Sequence, residues 1–182
     1  MMSKHNIAGI FIEYDKKFED KCLRHSIDVE VCTNLIGKYI DEFQLSKNIA
    51  GLYIDIAEHA EEATLHNPNS AQEIVKIDIH PEKYEYEVHH ELIHLRDQFD
   101  PEFGWNPDLL EGKSKTFLRT LNDIWDVRVD LHMGHIPYKV DSIDMYEGLT
   151  GDTGLFEYLL ANPNISYPEM VSLAIKIESA WG

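Results

Sequence analysis

The hydrophobic period of the chain changes at Pro81, and this change constrains the fold more than any other feature. Upstream, residues 49–56 and 74–79 alternate apolar and polar side chains, the period of a strand with one buried face. Downstream, apolar residues recur about every fourth position, as in an amphipathic helix, and proline suits the first position of a helix. The sequence therefore predicts an α+β fold: a small antiparallel or mixed sheet packed on a long helix that begins near Pro81.

Further segments have the signatures of turns and helices. Residues 66–70 favour a turn, so we expect 49–56 and 74–79 to pair as antiparallel neighbours. Residues 7–14 fit a strand or the start of a helix equally well. Four more helices are predicted: 27–43 with Ser26 as its cap and an apolar stripe on Val31, Leu35, Tyr39 and Phe43; 114–133 with Ser114 as its cap; 152–161; and 167–181.

The helix after Pro81 contains the pattern H-E-x-x-H, from His90 to His94. Residues four apart lie one turn apart on the same helical face, so both imidazoles can bind one ion. Glu91 projects near that face, where it can take a proton from a water that the metal activates. The pattern predicts one zinc ion per chain, with Glu91 as catalytic base. The alternative is a pair of surface histidines without a metal.

The arrangement resembles the zincin metallopeptidases, and most closely the small gluzincin type. In that family a strand precedes the H-E-x-x-H helix, and a downstream helix supplies an acidic third ligand, often followed four residues later by a supporting acid. Asp126 and Asp130 match this spacing, with aspartate where glutamate is usual. The resemblance implies Asp126 as metal ligand and Asp130 as the acid that supports a ligand histidine. It covers about residues 49–135 of a single domain, 1–182, in which 148–182 forms a helical C-terminal extension.

Three other residues could be the third ligand. Asp123 lies on the same helix as Asp126, and His132 fits the zincins that use three histidines. Asp100 stands where the metzincin pattern H-E-x-x-H-x-x-G-x-x-H/D has its last ligand, although Asp97 replaces the glycine of that pattern.

A hydrolase of this type also needs hydrogen-bond donors for the developing oxyanion. The candidates are His132, His135 and Tyr138, with Arg128 on the second helix itself. Asn122 lies on the acidic face of that helix and is a candidate for supporting the metal ligands. For Arg128, the favoured alternative is an ion pair with Asp97 or another carboxylate.

Composition excludes several classes of function. The net charge of −17, from 16 Lys and Arg against 33 Asp and Glu, repels phosphate backbones and anionic membranes. The apolar runs are too short to cross a bilayer, and the N-terminus has no signal-peptide pattern. Cys22 and Cys32 form no C-x-x-C pair, so we expect free thiols and a cytoplasmic location.

The leading hypothesis is a cytoplasmic zinc peptidase acting on peptides or proteins, with 74–79 as a candidate sheet edge for strand addition of the substrate. The alternative is a zincin-fold metal-binding protein with a structural, sensing or interaction role and no peptidase activity, its site closed by a fourth protein ligand. A third hypothesis, an acidic interaction module, predicts no tightly bound metal. The substrate and the oligomeric state are left open.

Overall fold

The computed structural model describes residues 2–56, 64–65, 74–134 and 155–181, and in these ranges the fold is α+β. The strands are β1 Met2–Ile7, β2 Ile10–Asp15, β3 Gly51–Ile56, β4 Thr64–Leu65 and β5 Ile74–Ile79. The helices are α1 Lys16–Arg24, α2 Val29–Glu42, α3 Tyr84–Phe99, α4 Lys115–His132, α5 Leu155–Ala161 and α6 Tyr167–Trp181. None of the helices in the described ranges combines the length and apolar character needed to cross a membrane.

The chain forms two compact units, Met1–Arg96 and Asp97–Gly182. The division falls inside α3, so the H-E-x-x-H residues belong to the first unit and the last turn of the same helix to the second. The prediction of a single domain over residues 1–182 stays a prediction.

The sheet of the first unit is mixed, with the strand order β1-β2-β3-β5-β4. Segment 7–14, which fitted either a strand or a helix, contains the last residue of β1, the turn and most of β2. Ala8 and Gly9 turn the chain with φ angles of 52° and 87°, the positive values of tight hairpin turns. α1 and α2 then carry the chain across to β3, which is parallel to β2. Apolar residues alternate along β2, β3 and β5 and form one buried face: Ile10, Ile12, Leu52, Ile54, Ile56, Val75, Ile77 and Ile79.

The predicted antiparallel pairing of 49–56 with 74–79 is wrong. β3 and β5 are neighbours, as expected, but they run parallel. The alternation along a strand indicates which face is buried, but it does not indicate the direction of the strand. A parallel connection needs a dozen or more residues, and residues 57–73 are long enough for it. β4 pairs antiparallel with β5, so β5 is not the outermost strand of the described sheet. The part of β5 that pairs with β4, Ile77 and Asp78, is therefore not a free sheet edge for strand addition.

α2 differs from its prediction in its cap and in its buried face. Asp28 caps the helix by accepting a hydrogen bond from the backbone N–H of Val31, whereas Ser26 precedes it with a φ angle of 57°. Val31, from the predicted apolar stripe, is 52% exposed. The helix has apolar residues on two sides, and only one of these sides is buried. The buried residues are Cys32, Thr33, Ile36, Gly37 and Ile40.

The ends of α3 and α4 follow the predicted signals. Pro81 begins a short 3₁₀ turn, Pro81–Lys83, that leads into α3. The Ser114 hydroxyl accepts a hydrogen bond from the N–H of Phe117 at the start of α4, and Gly134 follows that helix with a φ angle of 74°. The termini of both predicted ligand helices are therefore local properties of the sequence.

Both cysteines are free and buried, as predicted. Burial raises the pKa of the Cys22 thiol to about 11 and that of Cys32 to about 12. Each thiol is therefore protonated, and weakly nucleophilic, at neutral pH.

At Gly51, β3 lies close to the backbone of β2. A Cβ atom at this position would lie 2.6 Å from the carbonyl oxygen of Phe11, which is fixed by the strand pairing. We expect Gly51→Ala to lower the free energy of unfolding by about 1–3 kcal/mol, because the strands must separate to admit the methyl group. Urea denaturation measures this loss. Ala50→Ser, at the exposed neighbouring position, should change stability by less than about 0.5 kcal/mol. Equal stability of the two variants would show that the strands can adjust.

Candidate metal centre

α3 carries two buried imidazoles whose ring nitrogens converge. His90 is 5% exposed and His94 is 8% exposed. Their Nε2 atoms lie 3.1 Å apart, and the ring centroids are 4.8 Å apart. Val88, Leu92 and Leu95 are fully buried on the same helix and set its rotation in the core. The spacing of four residues therefore yields the paired nitrogens that the sequence predicts.

The start of α3 is tied to the end of β5 by hydrogen bonds around His80. The backbone N–H of His80 donates to the carboxylate of Glu87, and the backbone N–H of Glu82 donates to the Nδ1 of His80 at 3.2 Å. Glu87 is buried and lies one turn before His90. These contacts join the strand directly to the helix that carries the histidines.

Tyr86 lies one turn before His90 on α3. Its hydroxyl is 3.3 Å from the Nδ1 of His90, and the two rings are 5.4 Å apart, between centroids. With Nδ1 bonded in this way, Nε2 is the nitrogen that faces His94. Tyr86 is not among the residues that the sequence motifs predict for the site. The available signal was its spacing, since a residue four positions before a histidine shares its helical face.

Glu91 and His89 occupy different surroundings on the same helix. Glu91, which follows His90 in the sequence, is buried, at 9% exposed. The ring of His89 stacks on Tyr39 of α2, with centroids 4.2 Å apart and 9° between the planes. His89 is therefore engaged with α2, while His90 and His94 form the convergent pair.

The structure brings one aspartate into range of the two histidines. One donor atom from each of His90, His94 and Asp126 lies within 4.8 Å of the others, so the three side chains could hold a metal ion. Asp126 is half-buried on α4. In the described ranges these three residues are the only group of His, Cys, Asp or Glu arranged in this way.

The other predicted ligands lie elsewhere. Asp123 is half-buried on α4, but it is not in the convergent group, and His132 is exposed at the end of the same helix. Asp100 is half-buried, and its carboxylate accepts a hydrogen bond from the backbone N–H of Glu102 at 3.0 Å. The geometry therefore favours Asp126 among the four candidates.

Of the two residues predicted to support the metal ligands, one is buried and the other is exposed. Asp130 is 1% exposed, one turn beyond Asp126 on α4, whereas Asn122 is exposed. Of the predicted oxyanion donors, His135 and Tyr138 lie outside the described residues, His132 is exposed and Arg128 is buried.

The predicted pairing of Arg128 with Asp97 is confirmed. Arg128 Nη1 donates to Asp97 Oδ2 at 2.7 Å, and the Trp125 indole N–H donates to the same oxygen at 3.2 Å. Arg128 Nε also donates to the carbonyl oxygen of Ile165 at 3.0 Å, and its guanidinium lies 4.5 Å from the centroid of the Phe103 ring. Within the second unit, this buried cluster holds α4 against the last turn of α3.

No protein-family model matches the sequence, and no curated protein or solved structure matches it significantly. A function for this site must therefore be inferred from the chemistry and geometry of its residues.

Proposed function

We propose that the chain is a zinc-dependent peptidase of the zincin type, similar to the gluzincins, acting on a peptide or protein substrate. His90, His94 and Asp126 bind the metal, and Glu91 is the general base. The observation that carries the proposal is the convergence of one donor atom from each of the three ligands within 4.8 Å.

The donor set suits zinc. Two imidazole nitrogens and one carboxylate oxygen are typical zinc ligands, whereas calcium and magnesium prefer oxygen ligands alone. Three protein ligands leave a fourth position open, which is the arrangement of catalytic rather than structural zinc sites. The low exposure of both histidines further supports a site shielded from bulk water.

A zinc ion in this position supplies a Lewis acid that polarises a substrate carbonyl and lowers the pKa of water. Glu91 accepts a proton from the attacking water. It then donates this proton to the nitrogen of the breaking peptide bond, so that the nitrogen leaves as a neutral amine and not as an anion. Glu91 follows His90 directly on α3 and is not a member of the convergent ligand group, as the role of a base requires. A cytoplasmic location is part of the proposal, supported by the two buried free thiols.

Metal content tests the proposal. We expect mass spectrometry of the untagged wild-type protein to find about one zinc per chain, and His94→Ala and Asp126→Ala to lose it, because two remaining ligands bind zinc weakly. His89→Ala and His132→Ala are matched controls that should keep the metal, since His89 stacks on Tyr39 and His132 is exposed. Wild-type protein without stoichiometric metal would overturn the peptidase proposal. Zinc retained by Asp126→Ala alone would overturn only the third ligand and direct the same measurement to Asp123→Ala.

A further inference from the structure

We propose that Tyr86 is a positioning residue of the metal site, which holds the Nδ1 of His90 so that its Nε2 is presented to the metal. The inference rests on the proposed function, because it concerns the orientation of one of the proposed ligands. It adds a residue that neither the H-E-x-x-H pattern nor the acidic residues of α4 include.

Both nitrogens of the His90 ring have a partner. The Tyr86 hydroxyl lies 3.3 Å from Nδ1, and the Nε2 of His94 lies 3.1 Å from Nε2. Rotating the ring by half a turn about its Cβ–Cγ bond would break both contacts. The ring is also buried, at 5% exposed, so few other orientations are available to it. Tyr86 therefore selects the nitrogen of His90 that faces His94.

This role requires one particular tautomer of His90. A neutral imidazole carries its proton on one nitrogen, and only the other nitrogen has a lone pair for a metal. In the metal-binding tautomer, the Nδ1–H of His90 donates to the oxygen of Tyr86, and the lone pair on Nε2 is available to the ion. A partner of this kind fixes both the tautomer and the ring orientation, and its loss weakens metal binding by about 10–100-fold.

The same helix contains a matched control. Tyr84, two residues earlier, is half-buried like Tyr86, but its hydroxyl lies 3.3 Å from a carboxylate oxygen of Glu85 and not beside a histidine. Removing either hydroxyl deletes the same atom from the same helix. Only the loss of the Tyr86 hydroxyl should weaken zinc binding.

Zinc affinity and the histidine proton test the inference together. We expect competition with a chromophoric chelator to show zinc binding about 10–100-fold weaker in Tyr86→Phe than in the wild type, and within about 2-fold of it in Tyr84→Phe. In ¹⁵N-resolved spectra of the zinc-loaded wild type, the Nδ1–H signal of His90 should be present and protected from exchange. It should be lost or exchange rapidly in Tyr86→Phe. A residue that acted only through packing would not move this signal selectively.

The outcomes separate the two proposals. If the wild type binds zinc and Tyr86→Phe binds it equally well, the role of Tyr86 is overturned and the proposed function stands. A wild type that binds no zinc overturns the proposed function, and the role of Tyr86 with it. Should Tyr86→Phe fail to fold, the wild-type spectrum decides, because a zinc-loaded His90 without a proton on Nδ1 contradicts the inference.

Discussion

We expect Glu91→Gln to keep the zinc content of the wild-type protein and to hydrolyse peptides about 10²–10⁴-fold more slowly. Glutamine has nearly the same shape as glutamate, but its amide cannot accept the proton of the attacking water. Glu91 is buried and is not in the convergent ligand group, so we expect the substitution to leave the metal ligands in place. The measurement is the initial rate of cleavage of an internally quenched peptide library, normalised to bound zinc.

Glu85→Gln is the control for this experiment. Glu85 is exposed in the first turn of α3, so the variant makes the same chemical change on the same helix away from the histidines. It should hydrolyse the library at the wild-type rate. If Glu91→Gln is as active as the wild type, another residue is the base. If the wild type binds zinc and cleaves nothing, the protein is a metal-binding protein of the structural or sensing kind.

The second large effect concerns stability. Arg128→Met should lower the free energy of unfolding by about 3–5 kcal/mol, because it removes one partner of a buried ion pair and leaves the other charge in the interior. The side chains of Arg128 and Asp97 are only 7% and 2% exposed. The substitution also deletes the hydrogen bond to the carbonyl of Ile165 and the contact of the guanidinium with Phe103. Urea denaturation of the metal-free protein measures the loss.

Two variants control this prediction. Arg119→Met makes the same change at an exposed position of α4 and should alter stability by less than about 0.5 kcal/mol. The double variant Arg128→Met with Asp97→Leu removes both charges and should recover part of the loss, because the charge of Asp97 is then no longer buried without its arginine. If Arg128→Met is no less stable than Arg119→Met, the buried pair does not stabilise the second unit.

Local signals in the sequence determined the elements that carry the candidate site. The β-branched alternation of 74–79 coincides with β5, Pro81 precedes the start of α3, and Ser114 and Gly134 flank α4. These signals predict the elements correctly because helix caps and hydrophobic periods depend only on residues that are close together in the sequence. The convergence of His90 and His94 is predictable for the same reason, since a helix alone brings residues four apart together.

Tertiary structure alone decided the strand directions, the buried face of α2 and the choice among the acidic residues of α4. Alternation along β3 and β5 is the same whether the strands run parallel or antiparallel, so it cannot distinguish the two directions. Asp123 and Asp126 are the same residue type on the same helix, so the sequence cannot distinguish them. Only the packing of α4 decides that the carboxylate of Asp126, and not that of Asp123, lies in the convergent group. The contact of Tyr86 with His90 likewise depends on the orientations of two side chains. The spacing of four residues allows this contact, but the packing around the two side chains decides whether it forms.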